Sequence, residues 1–311
     1  VTPLRLGYLY GIGAYLLWGF FPLYLKLLRP AGPLEILAHR IVWSVVFVAL
    51  LLAALRNIGF LRALLRRPRA VAGIGVAAAL IAVNWGTYIY GVNSGRVVET
   101  ALGYFINPLV VVLLGVTVLR ERLRPAQWVA LGIGGLAVAV LTVDYGRLPY
   151  LALTLALSFG GYGLVKKRLG LPAAEGLFVE SAVLALPALA YLGWLTTAGD
   201  AAFGHVSAGH TALLMLAGAV TAVPLLLFAG AANRLPLTSL GMIQYLAPIL
   251  QLGCGVLIFH EPMPPARLAG FALVWAALII FTVDAVRQSR RTRAAQAATR
   301  RATAAAAPAT R

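Results

Sequence analysis

Ten apolar runs, at roughly 7–27, 34–55, 70–91, 99–119, 126–144, 149–166, 175–195, 209–230, 236–258 and 265–286, occupy most of this chain. A helix rises 1.5 Å per residue, so about 20 apolar residues match the ~30 Å hydrocarbon layer of a bilayer. Inside lipid every backbone N–H and C=O must be satisfied by the protein itself, which leaves helices and closed barrels as the spanning forms. Barrel strands show alternating polarity over about ten residues, and these runs are longer and do not alternate. The sequence predicts an all-α integral membrane protein with ten transmembrane helices.

Composition and charge agree. With 61% hydrophobic and 11% charged residues, 311 residues cannot cover a soluble surface. The single cysteine, Cys254, excludes an intrachain disulfide framework. The net charge of +17 could suggest a nucleic-acid partner, but the Lys and Arg residues sit between the apolar runs. With the N-terminus inside, 20 of the 26 fall on the inner side, five on the outer side, and Arg40 lies within a run. That asymmetry predicts a bilayer as partner, no nucleic acid, and both termini in the cytoplasm. The first run is read as a retained helix, since no A-x-A-like cleavage site precedes the second.

The chain also repeats itself. Shifting the numbering by 140 places Pro108 on Pro248, Gly115-Val116 on Gly255-Val256, Glu121 on Glu261 and Pro125-Ala126 on Pro265-Ala266. Ala137 falls on Ala277 and Thr142-Val143-Asp144 on Thr282-Val283-Asp284, making ten identities in 37 gapless positions. Glu35 falls on Glu175 with the same shift. Five apolar runs separate the copies, so the second enters the membrane from the opposite side. The expected architecture is two inverted five-helix repeats, residues 1–145 and 146–286, followed by a basic cytoplasmic tail at 287–311, read as mostly disordered with helix near the membrane as the alternative. Inverted repeats of this kind characterise secondary transporters that work by alternating access.

Particular motifs then carry a resemblance. Glu35-Ile-Leu-Ala-His39-Arg40-Ile-Val-Trp43-Ser44, Asn84-Trp85 with Tyr88 and Asn93, LGYFINPL at 102–109, Glu121-Arg122-Leu123, Gln244-Tyr245-Leu246-Ala247-Pro248 and Glu261-Pro262 are all present. Together they resemble RarD-type proteins of the EamA family, within the drug/metabolite transporter superfamily. The resemblance implies ten helices, two EamA repeats, cytoplasmic ends, a bacterial inner-membrane location and small-molecule transport; an exporter or exchanger working by alternating access is the expected function. The group's chloramphenicol-related name does not set the substrate.

Ionisable groups inside a membrane are costly, about 2.5–3.5 kcal/mol or more at a helix centre, and so mark candidate sites. Arg40 is the candidate holder of an anionic or carboxylate-bearing substrate group, with snorkelling to the interface as the alternative. The 140-residue shift places Arg40 on Glu180, which suggests an Arg–Glu arrangement near the cavity; His39 and Glu180 are candidate proton-coupling groups. Trp43, Asn84, Trp85, Tyr88, Tyr104, Asn107, Tyr162, Gln244 and Tyr245, with His39 and Arg40, form the candidate substrate-binding set, suited to a ligand with an apolar or aromatic body. Interfacial or packing roles are the alternative for each. Glu121 and Glu261 are expected to be structural, at helix-ending turns. No H-E-x-x-H, P-loop or Cys/His ligand cluster occurs, so neither a cofactor, a metal nor enzymatic activity is expected. A membrane-embedded sensor or scaffold, a channel, or an intramembrane enzyme remain the rival classes.

Overall fold

The computed structural model describes residues 3–54, 64, 68–120, 122–169 and 173–306. Its regular structure among those residues is helical. The elements are α1 (Pro3–Gly19), α2 (Phe21–Leu27), α3 (Pro33–Ala54), α4 (Pro68–Asn93), α5 (Val97–Leu119) and α6 (Pro125–Tyr145). They continue with α7 (Tyr150–Leu169), α8 (Ala173–Thr197), α9 (Ala208–Ala232), α10 (Leu237–Ile243), α11 (Leu246–Gly253), a π-helical turn (Cys254–Ile258) and α12 (Pro265–Ala306). Five of these helices open on proline, whose fixed φ suits the first turn and whose missing N–H has no partner there anyway.

Among the described residues, eight spans are long and apolar enough to cross a membrane, one of them Ser239–Ile258, which takes α10, α11 and the π-helical turn together. The α1–α2 pair makes a ninth if its 42° bend is counted within one span, and Tyr150–Lys166 of α7 is a shorter apolar helix. The fold is therefore an all-α multi-pass membrane bundle. Its surface is that of a membrane protein: Val143, Leu186 and Leu257 are 82%, 77% and 74% exposed, whereas Glu35, Arg40, Asn84, Glu99 and Glu180 are buried. Apolar side chains face lipid and polar ones face the interior, the reverse of a soluble protein.

The helices pack as α3 on α8, α6 on α12, α5 on α7, α4 on α7, and α9 on both α3 and α1. Close approach depends on small residues. A Cβ on Gly103 would come within 2.8 Å of the Ala152 carbonyl, and one on Gly218 would collide with the Trp43 carbonyl, so these backbones touch only because no side chain intervenes. The long antiparallel pair α6–α12 is clasped at both ends. Arg267 Nε donates to Asp144 Oδ2 at 2.9 Å at one end, and Arg124 Nη2 lies 2.6 Å from Asp284 Oδ2 at the other.

Two prolines at equivalent positions have different outcomes. Pro248 removes an N–H and pushes its ring against the carbonyl four residues earlier, at Gln244, and the chain breaks there into α10 and α11. Pro108 sits inside α5, which stays continuous. The segment after Val286, expected to be mostly disordered with helix near the membrane as the alternative, continues α12 to Ala306; alanine and arginine are strong helix formers.

Candidate functional site

Arg40 lies buried on α3. Its Nε donates to Thr221 Oγ1 at 2.8 Å, and Thr221 in turn donates to the Ala217 carbonyl. The guanidinium lies over the Trp85 ring at 4.1 Å and the Phe21 ring at 4.8 Å. Among the described residues no carboxylate lies within ion-pair distance of it. Cation–π contacts are each worth about 2 kcal/mol or more when desolvated, and they hold a guanidinium in place without neutralising it. A buried charge of this kind invites an anion.

The aromatic surroundings extend from that pair. Tyr88 stacks on Phe21 at 5.9 Å with planes 7° apart, and lies 5.6 Å from Tyr104. Its buried hydroxyl has no hydrogen-bond partner. Asn84, one turn earlier on α4, donates to the Leu155 carbonyl at 3.0 Å and to Ser158 Oγ at 3.1 Å, while its Oδ1 receives the Tyr104 hydroxyl at 3.4 Å. Arg40, Asn84, Trp85, Tyr88 and Tyr104 thus come together as one site. Phe21, Tyr24 and Thr221 join it without having been anticipated. Phe21 and Tyr24 sit just past the bend at Gly19–Phe20, where residues ordinarily read as an interfacial belt turn inward.

The other anticipated residues fall elsewhere. His39 faces away from Arg40, stacked 4.5 Å from Phe203, with neither ring nitrogen hydrogen-bonded and Nε2 4.0 Å from Glu35 Oε1. Glu180 does not pair with Arg40. Its Oε1 lies 2.7 Å from Lys166 Nζ and its Oε2 accepts from the Tyr162 hydroxyl at 3.0 Å. The 140-residue shift relates Arg40 and Glu180 as equivalent positions, and equivalence is not contact. Trp43 packs at the α3–α9 approach, and its buried Nε1 lacks a partner, as does Asn107 Oδ1 just before Pro108. Gln244 caps the end of α10. Tyr245 lines, with Phe105, Met242, Ile249 and Trp275, an apolar cavity of about 610 Å3 that the Arg40 cluster does not reach. Glu121 lies outside the described residues.

Glu261 is structural in a specific way. The helix α5 begins after Arg96, whose side chain caps nothing, so its first N–H groups lack local partners. Glu261 supplies them from across the bundle: Val97 N donates to Oε1 at 2.6 Å and Val98 N to Oε2 at 2.8 Å. His260, in the left-handed region at φ 54°, turns the chain so that this carboxylate arrives there. Arg120, its equivalent under the 140-residue shift, has φ 56°. The variant Glu261→Gln keeps one acceptor oxygen and loses the charge at the positive end of α5; thermal unfolding in detergent should show a loss of about 1–2 kcal/mol.

A multi-pass helical bundle that holds a buried cation among aromatic rings, with no carboxylate partner among the described residues, suits a small-molecule transporter, and comparison with known proteins agrees. Residues 5–143 match the model of the EamA-like transporter family. Protein RarD of Streptomyces exfoliatus is 55% identical over 290 residues, covering 93% of this chain and 92% of that one. YojE of Bacillus subtilis, an uncharacterized transporter, is 44% identical over 288 residues, covering 91% and 96%. A crystal structure 20% identical superposes with a TM-score of 0.56 over 89% of this chain and 97% of that one, which shows a shared fold. The chain belongs to the RarD-type branch of the EamA family in the drug/metabolite transporter superfamily, whose setting is the bacterial inner membrane.

Proposed function

We propose that this transporter is an exporter or exchanger of small metabolites or drug-like molecules that carry an anionic group on an apolar or aromatic body. It works by alternating access and without a catalytic step. The observation that carries the reading is Arg40: a buried guanidinium with no carboxylate partner among the described residues, held between Trp85 and Phe21 and faced by aromatic rings. A substrate carboxylate would complete its charge balance, and Tyr88 and Tyr104 would line the substrate's ring.

The finer architecture belongs to the same proposal. Ten spans in two inverted halves, with both termini cytoplasmic, are supported by the charge asymmetry of the connections and by the matched left-handed residues Arg120 and His260. They are also supported by the symmetric packing of α4 on α7 and α9 on α1, and by the two Arg–Asp clasps of α6 and α12. Proton coupling through His39 or Glu180 is the energetic part of the reading.

The test is counterflow in proteoliposomes with the purified full chain. Matched pairs of aromatic acids and their neutral amides, amino acids and amphenicols would be compared with and without an imposed pH gradient. Saturable counterflow of acids, with the amides at least about tenfold weaker as one lost charged contact implies, is the expected result. Equal transport of acids and amides would remove the anion from the reading.

A further inference from the structure

The outer face of the bundle, in the orientation proposed above, carries a second buried polar group that substrate binding does not use. Glu35 and His39 are one helical turn apart on α3, and both side chains are over nine-tenths buried. Glu35 Oε1 accepts the backbone N–H of Ala202 at 2.8 Å and of Phe203 at 3.0 Å, so this carboxylate ties α3 to the connection between α8 and α9. His39 stacks on the ring of the same Phe203, and both of its nitrogens are unpartnered. Two further contacts join the same regions: His210 Nε2 with the Leu28 carbonyl at 2.9 Å, and the Tyr24 hydroxyl donating to the Leu213 carbonyl at 2.7 Å.

An acceptor shared by two N–H groups, beside a basic ring with no hydrogen-bond partner, is a place for a proton. Hydrogen bonds to a carboxylate are about twice as strong as those to a neutral acceptor. In a low-dielectric interior the difference is enlarged. A proton taken by His39 draws the carboxylate 4.0 Å away into an ion pair and so weakens its hold on Ala202 and Phe203. The ionisable neighbours facing the pair are His210 on α9, Tyr191 on α8 and, within the connection itself, His205, whose Nδ1 lies 2.9 Å from the Phe203 carbonyl; Arg40, next along α3, is turned to Thr221 and Trp85.

We propose that Glu35 and His39 form one proton site on an external latch, whose loading releases the Ala202–Phe203 connection and opens the outer side. The proposal rests on the alternating-access reading. It gives proton coupling a location distinct from the substrate cation and from Glu180.

The experiment uses spin labels at the exposed positions Leu34→Cys and Val206→Cys in a Cys254→Ala background, with distances measured in liposomes at pH 8 and pH 5.5. The expected result is one short distance at pH 8 and a longer population, raised at least about twofold, at pH 5.5. Glu35→Gln should show the long population at both pH values, and His39→Gln should lose most of the pH response. An unchanged distance at both pH values in a protein that still performs counterflow would overturn the proton site and leave the carrier standing. A pH response retained in full by both variants would overturn it too. A single distance under every condition, with no counterflow of any compound, would overturn the carrier reading along with it.

Discussion

Arg40→Ala should abolish transport while the protein still folds. Truncating one side of a buried, hydrogen-bonded charge pair costs about 2–5 kcal/mol, and each 1.4 kcal/mol is about tenfold in affinity. Substrate affinity should therefore fall by between about thirtyfold and a few thousandfold, enough to remove counterflow at ordinary concentrations. Folding should survive because, among the described residues, the lost group has no counterion to strand: Thr221 loses a hydrogen-bond partner, and that hydroxyl keeps its bond to Ala217. Arg40→Lys separates charge from shape. Lysine restores the cation but has neither the flat face that lies on Trp85 nor the two-pronged donor that fits a carboxylate. It should recover transport only in part. Kinetic constants from counterflow, alongside melting temperature in detergent, give the comparison. Normal transport by the alanine variant would take Arg40 out of the substrate site.

Lys166→Met should be the most damaging single change to stability. It leaves the buried Glu180 carboxylate with the Tyr162 hydroxyl as its remaining bond, and an uncompensated buried charge costs about 3–5 kcal/mol. Glu180→Gln should cost less, because the Lys166 side chain is 19% exposed and its ammonium can turn toward water, whereas Glu180 is 2% exposed. The double variant Lys166→Met with Glu180→Gln should regain most of the loss, since it removes both charges together. A melting-temperature cycle over the four proteins measures the coupling. Additive losses would mean that the pair contributes nothing as a pair. The same Glu180→Gln protein also tests Glu180 as a coupling group: if its flux still follows the pH gradient, the carboxylate is a structural anchor.

Sequence and structure meet most closely where backbone polarity forces the answer. Long apolar runs in lipid have few solutions, so a helical membrane bundle was legible throughout; the break before Pro248 was not, since Pro108 in the same sequence pattern leaves its helix continuous. The length of Tyr150–Lys166 was harder to read, because the run shades into Lys166-Lys167-Arg168 and the basic end belongs to the helix, not to a loop. Lys166, counted among the inner-side charges, also reaches back to Glu180, a contact the charge count could not show. Arg40, Asn84, Trp85, Tyr88 and Tyr104 could be anticipated because each is an expensive or amphipathic residue in lipid. Glu35 could not, since an acid in the first turn of a helix looks like ordinary compensation of the helix dipole; its real partners, Ala202 and Phe203, are more than 160 residues away. The 140-residue shift pairs the two left-handed residues Arg120 and His260, but it could not say which paired residues touch.

The clasped pair α6–α12 has a mechanical meaning. A slide of one helix past the other by a single turn is 5.4 Å, more than either Arg–Asp contact can stretch, and because the clasps sit at opposite ends, both would part together. Rolling the two helices about their common long axis leaves both contacts made. The geometry permits the pair to turn as a bearing and resists its sliding as a piston.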